Sequence, residues 1–369
     1  MITEQLMVYL IRCALKNETA VLPNNCDYER LFSLCELHHV APVVYYALNK
    51  AGYDGETLSK FNMSRSKAVA RSIIQQSEFE KIATAFTGEK VEYLAFKGLF
   101  ISRLYPSADM RVSSDLDFLV ATVERNKSRK IMESLGYTTE DFGKNGADVY
   151  FKKPIMNVEI HTTLFENDTF NGYFDSSLGK KVYDELLCAY TMSFADLYIY
   201  SLAHFHKHYE LAGCGVRFIT DHYLLTQNLD KSDYKYVKSE LKKLGIFDFK
   251  KQMDIVADKW FGEDNKIADW GQTEQYITKS GIYGSARHKA DNMLLKYLKK
   301  YKSMGKAVYV IRRIFPPLSS MKSAFAAVNK YPFLLPVFWI YRIFRVIFCR
   351  NDKIKSEANL YKSMSGERK

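Results

Sequence analysis

Residues Phe96 to Val120 read FKGLFISRLYPSADMRVSSDLDFLV. The end of this stretch decides the fold. Leu116, Phe118, Leu119 and Val120 form a β-prone run, and Asp115 and Asp117 flank Leu116 within it. Side chains alternate along a strand, so residues two apart share a face. Two carboxylates on one face repel unless a cation or a strong donor set lies between them. Mg2+ suits that position, because it takes hard oxygen ligands and keeps coordination positions for phosphate oxygens. A bare D-x-D is common on surface strands. Here the apolar neighbours tie the pair to a core element, the rigid placement that a metal site needs.

Upstream, VEYLAF (Val91–Phe96) is a second β-prone run, ending at Lys97–Gly98. A glycine lets backbone approach a phosphate closely, and the helix that follows offers free N–H groups. Lys97 and Arg111 supply positive charge for the same polyphosphate. The plain alternative for Lys97–Gly98 is an ordinary strand-to-helix turn. Downstream, Val149–Lys152 and Val158–Thr162 are two more short runs, with Pro154 and Asn157 as a turn signal between them. In VEIH, Glu159 and His161 face one way and Val158 and Ile160 the other. If this strand neighbours the aspartate strand, three carboxylates converge. Such a set can hold divalent ions, and Glu159 can also deprotonate an attacking hydroxyl. The alternative for Glu159 is an exposed acid paired with a lysine such as Lys152.

Glu124 to Leu135 has helical spacing and stops at Gly136. The order strand, helix, strand, helix, strand, strand predicts an α+β fold with a small mixed sheet. Helical regions flank it. Apolar spacing predicts helices at Leu6–Leu15, at Tyr28–Lys50 as one helix or a pair, and at Leu58–Phe86. Further helices are expected at Phe194–Tyr209, Val216–Gln227, Tyr234–Leu244 and Lys250–Phe261, with Thr273–Gly284 loop-like. The expected division is 1–90 helical, 91–170 catalytic core, 171–284 helical and completing a nucleotide cleft, and 285–369 basic and helical.

Charge is unevenly spread. From Ser285 onward, nineteen Lys and Arg stand against four Asp and Glu, a net +15 within a chain of net +11. The first 284 residues are therefore mildly acidic. A basic region of this kind points to an anionic partner such as nucleic acid, nucleotide phosphate or a membrane surface, or else to lysine-rich solvated helices. VFWIYRIFRVIF (Val337–Phe348) reads either as a core helix, the favoured reading, or as a membrane-interface helix. The apolar run Tyr331–Tyr341 is too short to span a bilayer. The amino terminus lacks a signal-peptide pattern, and the six cysteines form no C-x-x-C pair, so a cytoplasmic protein with reduced thiols is expected.

The sequence has no G-x-S-x-G, no Walker A loop and no G-x-G-x-x-G. His204 and His208 share a helix face at a metal-competent spacing, but no H-E-x-x-H accompanies them. A polar helix face or the rim of an active site is the better reading.

Taken together, these residues resemble the uncharacterised nucleotidyltransferase family of the DNA polymerase β-like superfamily. The resembling pattern is KG, a stretch ending in YP, R-x-x-x-DLDFLV, a helix ending in GY, and VEIH. By position, Gly98 is the turn glycine, Asp115 and Asp117 are the metal-binding pair, and Glu159 is the third acid. His204, Arg217 and Asp221 resemble a helical H…R…D feature of the family, which implies a place near the nucleotide. Arg312–Pro317 and the helix after it resemble the family's carboxyl-terminal region. The sequence departs from the superfamily at Leu99, where a Gly or Ser usually follows the turn glycine.

The resemblance implies Mg2+-dependent transfer of NMP from a nucleoside triphosphate to a hydroxyl or amine acceptor, with pyrophosphate as the leaving group. The acceptor is left open among small molecule, protein and tRNA end. Two other classes are carried beside it. One is a catalytically degenerate nucleotide-binding or scaffold protein. The other is a peripheral RNA- or membrane-binding protein acting through the basic region.

Overall fold

The computed structural model describes residues 2–140, 142–143, 146–165, 170, 172–174, 182–263 and 270–349. Residues 350–369 of the expected basic region lie outside the described residues. The chain forms two compact units. One is Met1–Tyr209 with Gly213–Gly284, and the other is Glu210–Ala212 with Ser285–Lys369.

The first unit is α+β, as the sequence predicts. It opens with α1 (Thr3–Leu15), α2 (Tyr28–Leu37), α3 (Ala41–Lys50) and the long α4 (Thr57–Gly88). Tyr28–Lys50 is thus a helical pair. Asp27 ends its loop by accepting the Arg30 N–H, and Pro42 stands in the first turn of α3, where its missing N–H costs nothing. Next come β1 (Tyr93–Phe96), the short α5 (Gly98–Ser102), β2 (Leu116–Val120), α6 (Arg125–Ser134), β3 (Ala147–Lys152) and β4 (Met156–His161). Two strands follow that the sequence did not announce, β5 (Val182–Asp184) and β6 (Ala189–Thr191). The helices α7 (Phe194–Ala212), α8 (Val216–Gln227), α9 (Tyr234–Lys243) and α10 (Phe247–Phe261) come next. Gln272–Thr278, expected as loop, is a helix, α11. The Glu274 carboxylate accepts the Gly271 N–H at its start, and Ile277 is fully buried beneath it.

The six strands form one mixed sheet in the order β3-β4-β2-β1-β6-β5. Strand β2 runs antiparallel to β1 and parallel to β4. It is buried on both faces, as its near-continuous apolar composition requires. Leu116, Phe118 and Val120 point into a core shared with Phe86 of α4 and with Ile131 and Met132 of α6. Phe118 stacks on Phe79 and meets Phe86 edge-on. Leu119 shares the opposite face with Leu94 and Phe96, beside Tyr200 of α7. Alternation therefore sends Asp117 to the α7 side.

In the second unit, α12 (Ala286–Tyr301), α13 (Gly305–Ile314), α14 (Leu318–Ala324), α15 (Ala326–Lys330) and α16 (Leu335–Cys349) are all helical. The sequence favoured a core position for α16, but no described side chain of that helix is buried. Among the described residues no helix is long and apolar enough to cross a membrane.

Candidate active site

The sheet register brings the acids together. In the β2–β4 pair, Asp117 lies directly opposite Glu159. In the β1–β2 pair, Asp117 lies opposite Phe96, so Lys97 follows the residue facing the aspartate. Asp115 sits one residue before β2 begins, outside the strand in which the sequence placed it, yet it faces the same cavity. That cavity is about 280 Å³ and lies wholly within the first unit. Lys97, Gly98, Arg111, Asp115, Asp117, Glu159, His204, Arg217 and Asp221 all line it.

Asp117 is the most enclosed acid, its side chain 2% exposed. The Lys97 ammonium donates to its Oδ1 at 2.8 Å, and His161 Nε2 donates to the same oxygen at 3.0 Å. Burial pushes the Asp117 carboxyl up, but Lys97 and His161 outweigh it and hold it below the usual carboxylate range. Lys97 therefore meets a carboxylate rather than standing free for phosphate. It does so from a left-handed backbone, φ 60°, which a non-glycine residue holds at a cost of roughly 1–3 kcal/mol. Burial works against its charge, yet Tyr200 and Asp117 keep the ammonium well above its ordinary range.

Glu159 is 27% exposed and approaches His161 Nε2 at 3.3 Å. It makes no pair with Lys152, which binds Glu78 instead. Burial lowers the His161 imidazole, but its bonds to Asp117 and Glu159 carry it above the ordinary histidine value. Asp115 is pushed up to about 6 by burial and by the neighbouring Asp117 and Glu159 charges.

The ligand atoms of Asp117, Glu159 and His161 lie within 4.8 Å of one another. The sequence named Asp115 in this trio and gave His161 no role. The signal for His161 was its place on the Glu159 face, two residues on. The donor chemistry fits a divalent ion, since crowded carboxylates raise one another's proton affinity and a shared cation relieves that repulsion. Carboxylate oxygens suit Mg2+ or Mn2+, and an imidazole at the edge tilts the set toward the transition metal.

Helix α8 supplies a further wall of the cavity and brings Arg217 and Asp221 to it. Gly215 admits that helix closely, because a Cβ there would lie 2.7 Å from His38 Nδ1 and 3.0 Å from the Ile282 backbone. His38 joins three segments, accepting the Val216 N–H at Nδ1 and donating from Nε2 to the Thr278 carbonyl. Asp221 of α8 takes Arg111 in a bidentate pair, at 2.8 and 3.0 Å, and accepts the Tyr105 hydroxyl at 2.8 Å. Arg111, expected as a phosphate cation, thus has its charge met by Asp221.

Arg217 differs. It donates to the Val112 carbonyl, while its Nε is buried without a hydrogen-bond partner among the described residues. Burial and the nearby Arg111 lower its proton affinity. His204 and His208 lie with their Nε2 atoms 3.1 Å apart. Burial drives His204 well below the ordinary histidine range and His208 down to about 4, so both are neutral. Gly98 has a packing reason of its own, because a Cβ there would meet the Ser113 hydroxyl at 2.4 Å.

The chain belongs to the uncharacterised nucleotidyltransferase family, whose model matches residues 24–262. No curated protein matches it. Among solved structures it is similar to that of the antibiotic-resistance factor ANT(2'')-Ia, at 11% identity and a TM-score of 0.34, over 46% of this chain and 92% of that one.

Proposed function

We propose that this protein transfers a nucleoside monophosphate from a nucleoside triphosphate to a hydroxyl or amine acceptor, releasing pyrophosphate. The observation that carries the reading is the meeting of Asp115, Asp117 and Glu159 with Arg217 and Lys97 in one cavity. Asp117 and Glu159, with Asp115 and His161 beside them, would hold a divalent ion, Mg2+ being the proposed one. When bound, it supplies positive charge against the triphosphate and its developing negative charge. Arg217 has an unspent donor and binds a phosphate oxygen. The Arg111–Asp221 pair holds Arg111 in place beside it. Glu159, more accessible than Asp117, takes the proton of the attacking hydroxyl or amine. The new bond joins the acceptor atom to the α-phosphorus, and the bond from that phosphorus to the bridging oxygen breaks. The remaining contribution is positioning and charge compensation.

The test is incubation with labelled nucleoside triphosphates, Mg2+ and cell extract as a source of acceptor. Wild type should label an acceptor and release pyrophosphate, and Asp117→Asn and Glu159→Gln should not. Equal behaviour of all three proteins removes the proposal.

One observation favours a second reading, a nucleotide-binding protein without turnover. Leu99 stands where a phosphate-binding Gly or Ser is usual, and Lys97 already engages Asp117. Calorimetric binding of a triphosphate with no pyrophosphate release across an acceptor panel supports that reading, and turnover removes it.

A further inference from the structure

Helix α16 turns large apolar side chains outward. Val337, Ile340, Tyr341 and Phe344 are 58%, 56%, 51% and 55% exposed, and Phe333, one turn earlier, is 76% exposed. Their spacing of three, one and three residues puts the four on a single helical stripe. The other side of the helix carries most of the packing, and Tyr341 at the edge of the stripe also meets the Phe325 ring edge-on. Trp339 Nε1 donates to the Pro316 carbonyl at 2.9 Å, and its ring meets Phe315 edge-on. Arg342 donates to the Arg313 carbonyl at 2.9 Å, and Phe338 packs against Phe325. The end of α13 repeats the pattern, with Ile311, Ile314 and Phe315 exposed at the same helical spacing.

We infer that this unit is a membrane-surface module, with the α16 stripe lying in the headgroup region of an anionic lipid bilayer. Charge selects the partner. Between Ser285 and Cys349, thirteen Lys and Arg stand against the single acid Asp291. Lys330 and Arg345 flank the stripe in sequence and are exposed. Outward aliphatic and aromatic side chains with basic neighbours are the composition of a helix that lies in a bilayer interface. Anionic headgroups attract each basic residue that comes within a Debye length. A helix of fifteen residues is too short to span, so it lies on the surface.

The other occupants fit less well. A second copy would bring two strongly positive units together. RNA phosphates would engage the lysines and leave Val337 and Ile340 in water. Residues 350–369 are basic and carry few large apolar side chains, so they do not match the stripe either.

The experiment is co-sedimentation of the full chain with vesicles of phosphatidylcholine alone or mixed with phosphatidylglycerol, at low and physiological salt. The chain should pellet with the anionic vesicles, less so as salt rises, and about tenfold more weakly with phosphatidylcholine alone. Val337→Glu/Ile340→Glu should lower partitioning by about tenfold or more while its thermal transition matches wild type. Ile340→Trp keeps the site apolar and serves if the double variant fails to fold. Its emission should shift to the blue on adding anionic vesicles. No pelleting with anionic vesicles overturns the inference. So does pelleting that the glutamates leave unchanged, or an emission that vesicles leave unmoved. A wild-type dimer that the glutamates split, or an RNA complex formed without vesicle binding, overturns it as well.

Discussion

Replacing Asp221 by Ala should be one of the most damaging single changes in the first unit. Asp221 takes Arg111 through both of its oxygens and the Tyr105 hydroxyl through one of them. Arg111 is buried, and Arg217 lies close enough to disfavour further positive charge. The variant leaves the Arg111 guanidinium in a low-dielectric wall without an ion-pair partner among the described residues, with Arg217 close by. Removing one partner of a buried pair costs about 3–5 kcal/mol, because the other charge stays buried and unpaired. At the entropy of unfolding expected for a unit of this size, that lowers the thermal midpoint by roughly 5–8 °C.

Calorimetry and guanidinium melts measure the loss. The double change Arg111→Met/Asp221→Leu removes both charges and keeps apolar volume, so it should cost far less than Asp221→Ala alone. Added pyrophosphate should recover part of the single variant's stability by compensating Arg111 and Arg217. A midpoint within about 1 °C of wild type for Asp221→Ala would refute the reasoning, since it would mean the pair carries no more than a surface ion pair.

Arg217→Ala should weaken triphosphate binding by about 10- to 100-fold with little change in the thermal midpoint, read by calorimetric titration. His38 is held at about 4 by burial, against 6.5 for the free side chain. The unfolded chain therefore binds the extra proton first, and His38 contributes stability that is whole above pH 6.5. That contribution is lost as the pH falls from 6.5 toward 4 and amounts to about 3 kcal/mol at most. His38→Gln should flatten this part of the stability-versus-pH curve, and an unchanged slope would refute the assignment. Gly215→Ala must displace the Ile282 backbone or His38 and should cost about 1–3 kcal/mol in a denaturant melt.

The acids were legible because strands β2 and β4 have strong patterns. DLDFLV is apolar on both faces apart from its aspartates, and VEIH alternates cleanly. What fixes their meeting is register, and the parallel pairing that sets Asp117 opposite Glu159 is written in no local pattern. Strands β5 and β6 were missed because three residues are too few to show a period, and β6 is held by two backbone partners on β1. The seven-residue α11 was hidden for the same reason.

Arg111 and Asp221 are 110 residues apart in sequence. Each reads from the sequence as a nucleotide contact, the fold adds that they pair with each other, and Arg217 is the guanidinium with a donor to spare. His161 was seen on the correct face but was given no role, since a lone histidine on a strand has many ordinary uses. For the α16 segment the sequence favours core over a membrane-interface helix, because the rest of the chain carries no other membrane signal. Hydropathy shows that a face is greasy, and only packing shows whether anything covers it.

The proposed function rests on Asp117 and Glu159, joined by Asp115 and His161, holding a divalent ion beside a triphosphate. Titration of the full chain with Mn2+, followed by electron paramagnetic resonance with and without ATP, tests it most directly. Mn2+ binding should be saturable, tighten with ATP and weaken by about tenfold or more in Asp117→Asn and Glu159→Gln. Binding that is absent in wild type, or unchanged from wild type in both variants, would contradict it.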